Sequence, residues 1–283
     1  MSAPYELRIR PSDNAVNIDW RELWRYRDLL YLMVRRDFVS KYKQTVLGPA
    51  WFVFQPLVTT FVFTFVFSGV AKISTDGLPP VLFFMCGMLA WSYFSHTFTG
   101  ASTTLVGHAP LFGKVYFPRL VVPLSLSISN LFAFGIQLVS FLLIYFYFKE
   151  FAFTGSSFGM RWEAVALPLL ILHIGALSLG VGLWMSALTA KYRDFTHLST
   201  FLVQIWMYGT PVIYPLSAMP EKWRPWIILN PMTMPVEAFR YIFLGTGLVD
   251  VRYFGVSILV TALFLATGLI VFERVERTFI DSV

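Results

Sequence analysis

Residues able to do chemistry are few in this chain, and their spacing excludes most of the reactions they could support. The four histidines, His96, His108, His173 and His197, are scattered, with neither the i, i+4 spacing nor the carboxylate partners of a metal site. No Ser–His–Asp arrangement can be assembled from the sequence. Gly107-His108-Ala109-Pro110-Leu111-Phe112-Gly113-Lys114 has the outline of a phosphate-binding loop. However, five residues separate its glycines instead of four, and Val115 stands where a hydroxyl should hold magnesium. Nucleotide binding is therefore excluded there. The single cysteine, Cys86, lies in an apolar run, so one chain builds neither a disulfide framework nor a thiolate metal site. Charged side chains gather beside the apolar runs: Arg25, Arg27, Arg35 and Arg36 before the first, Lys114 and Arg119 between the second and third, and Lys191-Tyr192-Arg193-Asp194 between the fourth and fifth. Such clusters anchor and bind at a membrane surface.

The elements that must position them are membrane helices. With 57% hydrophobic and 13% charged residues and a mean hydropathy of +0.64, the 283-residue chain is far from a soluble domain, where roughly a quarter of residues are charged. Its apolar runs are unbroken rather than alternating, which reads as helices and not as barrel strands. The class is all-α. Six uncharged runs, at 50–71, 80–107, 120–148, 164–189, 196–216 and 254–272, reach the roughly 20 residues needed to cross. Between the last two, residues 218–251 carry charges and Pro220, Pro225, Pro231 and Pro235, and are expected to form two short re-entrant helices. No removable leader is evident at the amino terminus. Nine of the twenty-two basic residues precede residue 50, which places that end, and with six spans the carboxy terminus, in the cytoplasm. The net charge of +6 suits anionic headgroups or a cytoplasmic partner better than nucleic acid.

The chain divides into two parts, a cytoplasmic segment at 1–49 and a six-span membrane domain at 50–283. In the first, Asp19 and Glu22 have capping-box spacing, so a helix should begin near Trp20. Leu23, Tyr26, Leu29, Leu30, Met33, Val34 and Phe38 share one face, with Arg21, Arg25, Asp28, Arg35 and Arg36 opposite. This helix is expected to lie in the headgroup layer, apolar side down. Residues 1–17 carry no clear structural signal.

Three stretches resemble a known family. RRDFVSKYKQTVLGPAWFVFQP at 35–56, ALTAKYRDFTHL at 187–198 and NPMTMPVEAFRYIFLG at 230–245 are similar to the permease subunits of ABC-type polysaccharide exporters, which move O-antigen, capsule and teichoic acid chains across the inner membrane. The resemblance implies no catalysis and no cofactor in this chain. It implies a homodimer in the bacterial inner membrane, with two copies of a separate subunit that binds ATP and magnesium, moving undecaprenyl-linked polysaccharide. The segment with His108, Pro110, Leu111, Phe112, Lys114 and Arg119 would dock into the ATPase, Lys114 and Arg119 facing its acidic or polar groups. Lys191, Tyr192, Arg193 and Asp194 would form a cytoplasmic gate, and Arg25, Arg27, Arg35 and Arg36 would meet the pyrophosphate of the lipid-linked end. Sugar rings stack their C–H faces on aromatics. The first span, with Trp51, Phe54, Phe61 and Phe65, and the fifth span together with the segment after it, with Trp206, Tyr208, Tyr214, Trp223 and Trp226, would line the polysaccharide path. The alternative is a permease of the same architecture exporting a small lipophilic drug or lipid.

Overall fold

Apolar runs without strand periodicity should give helices that bury their small and aromatic faces against one another, and a computed structural model of the chain shows this. It describes residues 20–43, 45–152 and 159–279, among which there is no strand. The amino-terminal helices are α1 (Trp20–Arg25) and α2 (Arg27–Tyr42), followed by α3 (Trp51–Phe63), which runs on through a π-helical stretch, Thr64–Val70. Next come α4 (Pro80–Ser102), the short α5 (Thr104–Gly107) and α6 (Ala109–Phe112), then α7 (Val121–Tyr147) and α8 (Leu167–Lys191). The chain ends with α9 (Phe195–Tyr208), α10 (Arg224–Ile228), α11 (Thr233–Leu244) and α12 (Val251–Phe279).

Helix α4 is the hub. It is enclosed by α7, α8, α9, α11 and the outer end of α3, and carries Phe83, Phe84, Phe94 and Phe98 into the main core. Glycines let its neighbours approach. A Cβ on Gly182 of α8 would lie 2.6 Å from Ala101 Cβ of α4. At the α8–α12 crossing a Cβ on Gly268 would lie 2.4 Å from the Gly180 carbonyl oxygen, so only paired glycines permit this contact. Hydrogen bonds between Ser92 and Gln137, at 2.7 Å, and between Asn130 and Thr97 fix α7 on α4.

Five helical segments among the described residues are long and apolar enough to cross: Gly48–Val70, Pro80–Ser102, Val121–Phe151, Trp162–Lys191 and Val251–Glu276. The run expected at 196–216 differs. Its helix α9 has 14 residues, about 21 Å at 1.5 Å per residue, short of a hydrocarbon core of about 30 Å. Pro211 ends it, since its ring cannot follow a helical turn and it lacks an N–H. The chain continues as irregular backbone through Gly209–Pro215, then forms the two short helices α10 and α11 in the region expected to be re-entrant.

The amino-terminal helix is present from Trp20, the first described residue; Asp19, its expected cap, and residues 1–17 lie outside the described residues. Its apolar face corrects an expectation. Met33 and Val34 are buried, and Leu23, Tyr26, Leu29 and Leu30 pack beside them against Phe112, Phe117 and Leu120 of the same chain. Burial against a preformed protein surface removes more apolar area from water than half-immersion among headgroups. The face left open carries Trp24, Tyr31, Leu32 and Val39 instead.

Candidate functional site

Between α4 and α7, α5 and α6 form a bent segment with His108 at the corner, where Pro110 sits in the first turn of α6. The His108 Nδ1 is 3.2 Å from the Thr104 carbonyl, and burial pushes its pKa below the usual imidazole value. Phe112 is buried and meets Phe117, with ring centroids 5.7 Å apart, and Leu111 is half-buried beside them. After this bend the chain exposes Gly113, Lys114, Val115 and Tyr116, the last being 81% exposed.

Arg119 departs from its expected place. It is buried, lies over the Phe112 ring at 5.4 Å, donates through Nη1 to the Glu276 carbonyl and brings Nε within 3.6 Å of the Glu276 carboxylate. Burial lowers its pKa while Glu276 opposes the shift. A guanidinium desolvated by this packing must have an internal partner, so Arg119 joins the segment after α6 to the end of α12 from a buried position, where an exposed one was expected. Tyr116 and Val115, which were not among the expected site residues, occupy the open tip. Only the order Lys-Val-Tyr-Phe-Pro hinted at them, because apolar residues in a loop between spans need a reason to be wet.

The four arginines of the amino-terminal helix also divide. Arg25 and Arg35 are exposed. Arg27 lies over the Trp24 ring, 5.8 Å from its centroid, and 3.9 Å from Asp28. Arg36 grips the neighbouring Asp37 through Nε at 3.0 Å and Nη2 at 2.8 Å. At the α8–α9 turn Lys191, Tyr192, Arg193 and Asp194 are all exposed. Lys191 lies over the Tyr192 ring, and neither Arg193 nor Asp194 has an ion-pair partner among the described residues.

Helix α3 presents Trp51, Phe54, Phe61 and Phe65 on an open face, while its other side, with Leu57 and Phe63, packs on the core. Tyr208 of α9 is exposed, as are Trp223 and Trp226 at α10. Trp206 is turned inward, its indole N–H donating to Asn230 Oδ1 at 2.9 Å and its ring 5.0 Å from that of Phe94. Tyr214 is half-buried, its hydroxyl donating to the Tyr208 carbonyl. The exposed aromatics thus lie on α3, α9 and α10, with Trp206 and Tyr214 as support behind them.

Backbone that leaves a helix in hydrocarbon must find internal partners for its polar groups. The Gly209–Pro215 stretch finds them in two side chains whose roles the sequence did not reveal. Asn230 donates to the Gly209 carbonyl at 2.8 Å and to Thr210 Oγ1 at 2.9 Å, and accepts from the Met232 N–H. Arg240, 1% exposed, donates to the Val212 carbonyl at 2.7 Å and to Glu237 Oε1 at 2.9 Å, and lies 3.8 Å from the Phe83 ring centroid. The second Glu237 oxygen accepts the Leu248 N–H at 2.9 Å. The broken end of α9 and the short helices are therefore one hydrogen-bonded unit.

None of these sites assembles nucleophile, base and oxyanion donors, and among the described residues no group of three metal-ligating side chains occurs. A family model for ABC-2 type transporters matches residues 28–244, from α2 to the end of α11. The chain belongs to the ABC-2 type transporter family. Curated relatives include the O-antigen export system permease protein RfbA of Myxococcus xanthus, 27% identical over 267 residues, covering 93% of this chain and 98% of that protein. Two proteins of the same name from Klebsiella pneumoniae are 23% and 24% identical, each covering 90% of this chain and 94% of the relative. The ABC-2 family chain is a multi-pass membrane transport subunit, and the match spans all three stretches singled out in the sequence except Gly245 at the end of the third.

Proposed function

We propose that this ABC-2 subunit is the permease of an ATP-driven exporter of lipid-linked polysaccharide, of O-antigen or capsule type, in the bacterial inner membrane. The single observation carrying this reading is the near full-length similarity to permeases named for O-antigen export. The open aromatic face of α3, with those of α9 and α10, supports it, because such faces stack on sugar rings while hydroxyls stay hydrated.

Two copies related by a two-fold axis form the conduit, since the helices of one chain are too few to enclose a polymer. Two copies of a separate ATPase, which hold the ATP and magnesium, dock below at the bend around His108–Phe112 and at the open tip with Lys114. Both chain ends lie in the cytoplasm, residues 1–49 serve as the cytoplasmic segment, and 50–283 as the permease domain with α9 and the re-entrant pair together completing a sixth crossing. The pyrophosphate of the undecaprenyl-linked end meets Arg25 and Arg35, which of the four arginines expected at this entrance are the two that are exposed and make no ion pair among the described residues. The turn at Lys191–Asp194 borders the cytoplasmic mouth. ATP-driven movement reaches the spans because α2, the docking bend and the ends of α7, α8 and α12 share one core.

The test is deletion of the gene in its own host. Undecaprenyl-linked polysaccharide should accumulate inside while surface polysaccharide disappears, and the isolated chain in liposomes should hydrolyse no nucleotide. Normal surface polysaccharide in the deletion strain, with loss of drug resistance or altered lipid export, would favour the small lipophilic cargo instead.

A further inference from the structure

A crevice on the outer side, away from the docking bend, lies between the re-entrant pair and the head of α12. Its volume is about 590 Å³, within the roughly 300–1,000 Å³ typical of small-ligand sites. Leu216 and Ile228 give it an apolar wall, Tyr241 and Tyr253 supply rings, and Arg224 and Asp250 supply one cation and one anion. Both charged groups have capacity left. Arg224 Nη2 donates to the carbonyls of Ser217 and Met219, at 3.2 and 3.5 Å, while its Nε is buried without a partner among the described residues. Asp250 accepts the Arg252 N–H through Oδ1 at 2.8 Å, and its other oxygen has no partner among the described residues.

A guanidinium and a carboxylate on the wall of one crevice, with aromatic rings beside them, match a ligand whose groups both donate and accept and whose carbon faces are apolar. Neighbouring hydroxyls on a pyranose ring do this. A phosphate headgroup fits less well, because Asp250 would oppose its charge. We propose that this crevice is a saccharide-binding subsite, holding a short stretch of the emerging chain with Tyr253 against a ring C–H face, Tyr241, whose ring already carries the Arg161 guanidinium at 4.2 Å, as part of the wall, and Arg224 and Asp250 on hydroxyls. It rests on the polysaccharide reading above. Its position after the conduit gives it a use: a weak hold on the emerged segment opposes backsliding between strokes of the ATPase.

The experiment uses the full chain with its ATPase in producing cells. Tyr253 is replaced by the photoreactive p-benzoylphenylalanine, as, separately, is Phe65 on the open face of α3. Irradiation at 253 should attach polysaccharide and give a ladder of high-mass permease bands, and Arg224→Ala in the same background should weaken that ladder about fivefold, the factor for one lost hydrogen bond. A ladder from 65 with none from 253 overturns the subsite and leaves the exporter reading intact. An adduct of phospholipid mass at 253 in place of a ladder, or a ladder indifferent to Arg224→Ala, also overturns it. No ladder from either position removes both the subsite and the polysaccharide reading.

Discussion

Replacing Arg240 by methionine keeps the volume of a long unbranched side chain and removes every donor it carries. Glu237 would then be a carboxylate 2% exposed with no cation beside it, still holding the Leu248 N–H. Breaking a buried ion pair from one side costs about 3–5 kcal/mol. The Val212 carbonyl, which now accepts from Arg240 at 2.7 Å in a stretch with no helical partner to replace it, adds about 1–3 kcal/mol. Loss of the cation over Phe83 comes on top of these. Even the lower figures reach about 4 kcal/mol, a large part of the 5–15 kcal/mol that holds an ordinary domain together. At roughly 2–4 °C per kcal/mol the variant should melt about 10 °C or more below the native chain, and its membrane abundance should fall. Thermal unfolding in detergent, followed by size-exclusion chromatography with fluorescence detection, reads the shift. The pair Glu237→Gln with Arg240→Met removes the stranded charge but not the stranded carbonyl, so it should recover part of the loss and not all. A single Arg240→Met variant melting within about 2 °C of the native chain would refute the reasoning, as would a double variant less stable than the single one.

At the α8–α12 crossing, Gly268→Ala should destabilise by about 1–3 kcal/mol through overpacking, whereas Gly135→Ala on α7, where a Cβ meets nothing within 4 Å, should be silent in the same melting assay. Arg119→Ala should lower abundance by freeing the end of α12, while Tyr116→Ala should leave abundance unchanged and weaken co-purification of the ATPase by about thirtyfold if the tyrosine is an anchor worth about 2 kcal/mol. Arg25→Ala and Arg35→Ala should each reduce binding of undecaprenyl pyrophosphate to the chain in nanodiscs without a change in melting temperature, but Arg36→Ala should lower the melting temperature by leaving Asp37 unpaired; unchanged lipid binding in the first two would remove the entrance assigned to them.

Whether a segment can cross a membrane depends on its own length and composition, which is why five of the six uncharged runs coincide with the helical segments long and apolar enough to do so. The same holds for helix ends set by local chemistry: Gly209 and Pro211 carried the signal that α9 stops early, though a run counted only for charge did not register it. What a side chain faces depends on another part of the chain, often far away in sequence. Arg119 looked available in its loop until Glu276, 157 residues later, came alongside. Trp206 gave no sign in the sequence that its indole N–H is held by Asn230 and its ring set against Phe94. The apolar face of the amino-terminal helices was legible to the residue, but a wheel cannot say whether lipid or protein will cover it; that was decided when Phe112, Phe117 and Leu120 assembled a surface for it to pack on. Periodicity and charge are properties of a segment and can be read along it, whereas burial, pairing and the choice of partner are properties of the packed whole and exist only once the helices have met.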